Sequence, residues 1–342
     1  MIQSSGQRIP PRAVIRATGV CFPSRRVTSD EIDTRLGKPA GWLRRQSGVD
    51  ARTVAGPGET QEVMAVSAAR QALDEAGLLA RELDLLLFGA AVGRQPIPAT
   101  APLVKRGLGC ENARFPAYDI NATCLSALAA IDIAAMHIET GRARNVLVVA
   151  SEIASRALPW DDDPQTAALF GDGAAAVLLS ADETDGAGIA VGPRLFETYE
   201  SGYDACTLAA GGTRFDFHAE HDAFERNSFF KMEGQALFKL SGKVLPGFME
   251  RLLDMAGCRQ RDIDLVLPHQ ASPIALEHMI RKSGFARDRV FNRASGMGNL
   301  VAVSLPAILH LARREGMIAK GARIMMIGTS AGISVGGAVL QA

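Results

Sequence analysis

The chain has 342 residues, 37 basic and 37 acidic side chains, and 47% apolar residues. That length suits two domains or one large duplicated one, needs no disulfide or metal staple, and has a composition that excludes global disorder. Zero net charge argues against a nucleic-acid surface, no run of about 18 apolar residues predicts a membrane span, and Met1–Arg12 lacks a signal-peptide core, so a cytoplasmic protein is expected.

Helical and strand patterns alternate along the chain. Val63–Ala76 has helical spacing and stops at Gly77, a C-cap residue. Asp84–Ala91 is a short apolar run that predicts a buried strand. Arg114–Ile120 reads as extended, Leu125–Glu139 as a small-residue helix, and Asn145–Ala150 and Ala174–Leu179 as further buried strands. Phe196–Phe230 is rich in aromatics, glycine and charge, and is expected to be a long excursion over the site. The rhythm is that of an α/β fold.

An internal repeat divides this rhythm in two. Gln71–Ala90 aligns without gaps on Arg251–Gln270, an offset of 251 − 71 = 180. Leu73-Asp74 falls on Leu253-Asp254, Ala76-Gly77 on Ala256-Gly257, Arg81 on Arg261, Asp84-Leu85 on Asp264-Leu265 and Leu87 on Leu267. A weaker match of Gly141–Ala150 to Lys320–Gly328 keeps the same order. Two similar halves, 1–182 and 183–342, are therefore expected, with the site where they meet.

The cysteines are Cys21, Cys110, Cys124, Cys206 and Cys258, an odd set with no C-x-x-C pair, as in a protein of reduced thiols. Cys124 lies between an extended stretch and a helix start, where free N–H groups and the helix dipole are expected to lower a thiol pKa. An inert buried thiol is the competing reading. His269 ends the predicted strand Asp264–His269, at the position Gly89 holds in the first half. Asn299 follows Gly296-Met297-Gly298, at a glycine loop opening the helix that runs to His310. Taken singly, His269 reads equally as a structural histidine and Asn299 as an ordinary N-cap. The repeat relates the Cys124 and Asn299 helix starts, so they can face one site.

Cys124, His269 and Asn299, with Phe170-Gly-Asp-Gly173, Lys231-Met-Glu-Gly234, Pro268-His-Gln-Ala271 and Gly328-Thr-Ser-Ala-Gly332-Ile-Ser-Val-Gly336, resemble the β-ketoacyl-acyl-carrier-protein synthase III family of the thiolase superfamily. The resemblance covers nearly the whole chain and is specific as an ordered set of motifs. It implies a thiolase-like duplicated five-layer αβαβα sandwich, commonly a homodimer. It also implies that Cys124 carries an acyl group, while His269 and Asn299 hold the enolate oxygen left when a malonyl thioester loses CO₂. The backbone N–H groups of Cys124 and Ala331 would form the oxyanion hole. Substrates would be acyl-CoA and malonyl-CoA or malonyl-acyl-carrier-protein, in fatty-acid, polyketide or other secondary metabolism, with no resident cofactor and no metal. Elongating synthases carry a second histidine where Asn299 stands, and thiolases a second cysteine in the C-terminal glycine segment; no cysteine follows Cys258.

Departures bear on the substrate. Trp42 matches the family tryptophan that stacks on the CoA adenine, but Gln46 and Pro164 stand where arginines are usual, and Ile274 replaces a carrier-protein arginine. Ile97 and Thr329 occupy places where the family often has Phe, which predicts a primer larger than acetyl. Arg281 and Lys282 match positions that dock acyl carrier protein. The alternatives are an acyltransferase or non-decarboxylative condensing enzyme using the same acyl-cysteine, and a non-catalytic partner subunit, against which the intact triplet argues.

Three further signals are weaker. Gly171–Ala176 formally fits the dinucleotide pattern but reads as a strand. The acidic loop around His218 and His221 reads more readily as solvated than as a metal site. Arg94 suits a carboxylate or a phosphate.

Overall fold

The computed structural model describes residues 11–182 and 188–342. The stretch assessed for a signal peptide lies outside these as far as residue 10, and the expected boundary at 182/183 borders the undescribed residues 183–187.

Nine strands form one sheet: β1 (Ala13–Cys21), β2 (Leu85–Gly89), β3 (Ala117–Ile120), β4 (Asn145–Glu152), β5 (Gly173–Ala181), β6 (Ile189–Thr198), β7 (Leu265–Pro268), β8 (Arg323–Ser330) and β9 (Ser334–Gln341). Their order is β7-β8-β9-β6-β1-β5-β4-β2-β3. The halves meet at a short antiparallel β1–β6 pairing, Val14 opposite Ala190 and Ile15 opposite Ile189. Reading outward from that seam, β1–β5 and β5–β4 are antiparallel, and β4–β2 and β2–β3 parallel. On the other side β6–β9 and β9–β8 are antiparallel and β8–β7 parallel, followed by a parallel bridge from Val266 to Val290. The two halves repeat one topology.

The repeated residues have local jobs. Asp84 Oδ2 accepts the N–H groups of Arg144 and Asn145 at 2.7 and 2.9 Å, and Asp264 Oδ2 accepts that of Arg323 at 2.8 Å. Each aspartate thus pins the start of the neighbouring parallel strand. Gly77 and Gly257 both end helices at positive φ, 63° and 58°.

Both sheet faces are covered, which explains the continuous apolar strands. Leu85, Leu87, Val146 and Val148 point to a middle layer containing the helices α2 (Ser126–Glu139) and α5 (Ser304–Arg314), which also receives Leu265, Leu267, Ile324 and Met326. Leu86, Phe88, Leu147 and Val149 face the outer helix α1 (Gln61–Ala76). Val266, Met325 and Ile327 face α3 (Gly234–Met255) on the opposite outside. The result is the duplicated five-layer sandwich.

The excursion begins later than expected. Phe196 belongs to β6, paired with Gly336, because the strand continues to Thr198. Beyond it come short 3₁₀ and strand pieces, the helix His221–Arg226, and Phe230 and Met232, which pack against the cluster touching Cys124. Gly173–Ala181 is strand, so the dinucleotide pattern opens no helix. Among the described residues no helix is long and apolar enough to cross a membrane, and no group of three His, Cys, Asp or Glu is placed to hold a metal.

Candidate active site

Cys124 sits in a single 3₁₀ turn, Thr123–Leu125, and the α-helix starts one residue later at Ser126. Thr123 has φ 52°, a left-handed conformation unusual for a β-branched residue. Asn121 steadies the turn, its Oδ1 accepting the Thr123 N–H at 2.9 Å and its Nδ2 donating to the Ala91 carbonyl at 3.0 Å. Ser126 Oγ accepts the Ala122 N–H at 2.9 Å.

The second half builds the same turn. Val301 has φ 51°, Asn299 Oδ1 accepts the Val301 N–H at 2.8 Å, and Ser304 Oγ accepts the Leu300 N–H at 3.2 Å. The offset is 299 − 121 = 178, so Asn299 matches Asn121 and Ala302 matches Cys124. Asn299 therefore caps a 3₁₀ turn, Val301–Val303, while α5 begins only at Ser304. Its carbonyl oxygen is occupied by that cap, which leaves Nδ2 as the end able to donate.

The Phe170-Gly-Asp-Gly segment stitches the halves together here. Asn299 N–H donates to Leu169 O at 2.7 Å and Gly171 N–H to Asn299 O at 3.1 Å. A Cβ on Gly171 would stand 2.7 Å from Met297 O, and one on Gly298, at φ +69°, 2.7 Å from Leu169 O. Only glycine lets the two backbones pass this closely. Asp172 is buried and accepts from Ala55 N, Ser155 N and Ser155 Oγ at 2.8, 2.9 and 2.6 Å.

His269 follows directly on β7, 7% exposed, its N–H bonded to Ile327 O at 2.8 Å. Gly328 faces it: a Cβ there would lie 2.7 Å from His269 Cβ and 3.3 Å from Leu125 Cδ2. The histidine, the turn carrying Cys124 and the glycine strand thus close on one point. Burial pushes the His269 pKa down to about 4, so the imidazole is neutral near pH 7, and its buried Nδ1 has no partner among the described residues.

The thiol corrects one expectation. Burial raises the Cys124 pKa, and Cys206 and Glu152 add to the rise, while the N–H groups of Cys124 and Ala331 pull it back. The helix start does not prevail because the sulfur is desolvated in an apolar wall that includes Phe170 and Val301. The two opposing donors are the backbone groups expected to form an oxyanion hole.

The remaining candidates scatter. Trp42 opens the helix Trp42–Ser47, half-buried, with Lys38 Nζ 5.2 Å from its ring centroid. Thr329 is half-buried near the end of β8. Ile97 is 87% exposed, so within one chain it closes no tunnel. Arg281 and Lys282 are exposed in the last turn of α4 (Pro273–Ser283), beside a groove of about 670 Å³ lined by Ile274, Arg281 and Arg293. Arg94 is ion-paired with Glu62 of its own chain. Pro164 opens a short helix and Gln46 is exposed. Two residues escaped the sequence reading: Asn121, hidden by the change of offset, and Glu152, a buried acid ending the apolar strand β4.

Comparison with known proteins gives the family. Family models match residues 118–191 (3-oxoacyl-[acyl-carrier-protein] synthase III) and 253–342 (its C-terminal part). A β-ketoacyl-[acyl-carrier-protein] synthase III of Neisseria meningitidis serogroup A is 32% identical over 333 residues, 96% of this chain and 99% of that protein. This chain belongs to the β-ketoacyl-[acyl-carrier-protein] synthase III family. A synthase III of Streptomyces coelicolor is 34% identical, with 96% of each chain covered. The crystal structure of the Aquifex aeolicus synthase III superposes with a TM-score of 0.85 at 29% identity, covering 96% of this chain and 100% of that one. The protein is thus an enzyme of the thiolase superfamily, a condensing enzyme of Claisen type.

Proposed function

We propose that this synthase condenses an acyl thioester with a malonyl thioester, with loss of CO₂, to give a β-ketoacyl thioester. The Cys124 sulfur attacks the acyl carbonyl, the oxyanion accepts hydrogen bonds from the N–H groups of Cys124 and Ala331, and the CoA thiolate leaves. Neutral His269 is suited to take the thiol proton, which burial keeps on the sulfur at rest. Malonyl thioester then loses CO₂, and the electron pair of the broken C–C bond moves into an enolate. Its oxygen accepts hydrogen bonds from His269 and Asn299 Nδ2. The carbanion attacks the acyl carbonyl, and the Cys124 thiolate departs.

The observation that carries this reading is the asymmetry between the matched turns: Cys124 in one half, and Asn299 in the other with its oxygen tied to Val301 N–H. The halves are taken as 1–182 and 183–342. Trp42, with Lys38 beside it, suits a CoA adenine. Arg281 and Lys282, which form no ion pair among the described residues, suit an acidic acyl carrier protein. The exposed Ile97 suits a homodimer in which its loop meets a second chain. Thr329 and Ile97 are read as gates for a primer larger than acetyl.

Intact mass after acyl-CoA treatment should show one adduct, absent in Cys124→Ala. Asn299→Ala should still form it yet decarboxylate malonyl thioester on the order of 10²–10³ more slowly. An undiminished condensation in Asn299→Ala would put the acyltransferase reading ahead.

A further inference from the structure

Glu152 takes no part in the chemistry above, yet it is 3% exposed and ends the apolar strand β4. Its Oε1 accepts the Ala91 N–H at 2.6 Å. The N–H groups of Ala302 and Val92 also act on the carboxylate, holding its pKa down against a burial that still pushes it up to about 8, with Asp172 adding to the rise. Ala302 is the second-half counterpart of Cys124 and follows directly on Val301, whose N–H donates to Asn299 Oδ1. Ala91 in turn receives the Asn121 side chain, which caps the turn of Cys124.

Hydrogen bonds followed by one packing contact therefore join the two turns. Thr123 N–H meets Asn121 Oδ1, Asn121 Nδ2 meets Ala91 O and Ala91 N–H meets Glu152, while strand β4, which Glu152 ends, packs against the Val301–Val303 turn beside the Val301–Asn299 cap. Both turns hold a β-branched residue at positive φ, Thr123 and Val301. Such conformations persist only where surrounding contacts over-determine them. A carboxyl group is suited to this place because its oxygen accepts the Ala91 N–H whether or not the group is ionised.

We propose that Glu152 is a positioning residue that sets the spacing between the turn carrying Cys124 and the turn carrying Asn299. It acts through Ala91 and Ala302 and touches no reacting atom. The consequence for rate rests on the decarboxylative reading, whereas the consequence for the two turns does not.

Glu152→Gln tests it, since the amide keeps the shape but turns an NH₂ toward donors. Hydrogen exchange should rise about tenfold or more in peptides covering both 120–125 and 299–304, far apart in sequence. Unchanged exchange in either would overturn the proposal, whatever the enzyme does with malonyl thioester. Decarboxylation should fall about 10–100-fold at little-changed KM. Asn299→Ala added to Glu152→Gln should cost clearly less than it costs alone, because the amide is already misplaced; losses that multiply in full would overturn the proposal. Glu152→Asp, which keeps the carboxyl group but withdraws it by one methylene, is read by the same measurements if the Gln variant does not fold. A wild-type enzyme that fails to decarboxylate malonyl thioester would refute the condensation reading, and exchange would still decide the role of Glu152.

Discussion

Gly328→Ala probes how His269 is held. The added Cβ would lie 2.7 Å from His269 Cβ, whereas ordinary contact begins near 3.4 Å, so the two must part by at least 3.4 − 2.7 = 0.7 Å. Neither backbone yields easily. Pro268 pairs with Ile327 in the parallel ladder, and His269 N–H is bonded to Ile327 O at 2.8 Å. Leu125 Cδ2, the other neighbour at 3.3 Å, is a side-chain end and can rotate away. Overpacking of this kind costs about 1–3 kcal/mol, and a shift approaching 1 Å at a catalytic group costs up to about 10²-fold in rate. We expect Gly328→Ala to lose a few degrees of Tm and roughly 10–100-fold in malonyl decarboxylation, with acylation of Cys124 slowed too, since His269 also takes the thiol proton. Gly336→Ala is the control. Its Cβ would also stand 2.7 Å from a neighbour, but that neighbour is the Phe196 ring edge. It should lose stability without the same loss of decarboxylation. A Gly328→Ala enzyme with wild-type Tm and decarboxylation would show that His269 is not held by this close approach.

Two further expectations concern pH and chain length. His269 has its pKa lowered from 6.5 to about 4. Between those values the unfolded chain binds a proton that the folded chain refuses, so stability falls as pH drops from 6.5 to 4, by up to about 3 kcal/mol. Denaturant titrations of wild type and His269→Gln should differ by that slope; Glu152, whose raised pKa acts in the opposite direction, cancels in the comparison. Identical slopes would mean that the imidazole is reached by water. Thr329→Phe should turn primer preference toward shorter acyl-CoAs, each methylene being worth roughly 1–3 kcal/mol in discrimination. Competition labelling of Cys124 measures it, and an unchanged preference would remove Thr329 from the acyl tunnel.

The halves were legible because the residues they share do backbone work. Asp84 and Asp264 pin strand starts, and Gly77 and Gly257 end helices, so both pairs recur at an offset of 180. The proposed triplet of Cys124, His269 and Asn299 was legible as residue types in an ordered set of motifs. Asn121 was not, since the offset changes to 178 before the turns and a gapless comparison loses it. Glu152 looked like the polar end of an apolar strand, and only the fold brings Ala302 to it. The rise in the Cys124 pKa was also invisible, because a sequence displays the helix start but not the apolar wall that desolvates the sulfur. Ile97 appeared as a tunnel residue by position along the chain; the fold leaves it exposed, so any gate it forms needs a second chain.

The duplicated frame also accounts for which half does what. At the strand-end position, half one has Gly89 and half two His269. A Cβ on Gly89 would stand 2.8 Å from the Ser126 carbonyl carbon and 2.9 Å from Ala127 N, because the start of α2 crosses the strand there. No side chain fits, so the first half cannot offer an imidazole at that position. In the second half room is made from the facing strand instead, by the absence of a Cβ on Gly328. At the turn, Asn121 spends its Nδ2 on Ala91 O, which braces the turn of Cys124, whereas Asn299 Nδ2 has no partner among the described residues. The matching residue to Cys124 is Ala302, whose methyl group presents no second nucleophile. The two turns thus share one backbone, and packing at Gly89 and hydrogen bonding at Asn121 place the thiol in one and, on the proposed mechanism, the enolate donors in the other.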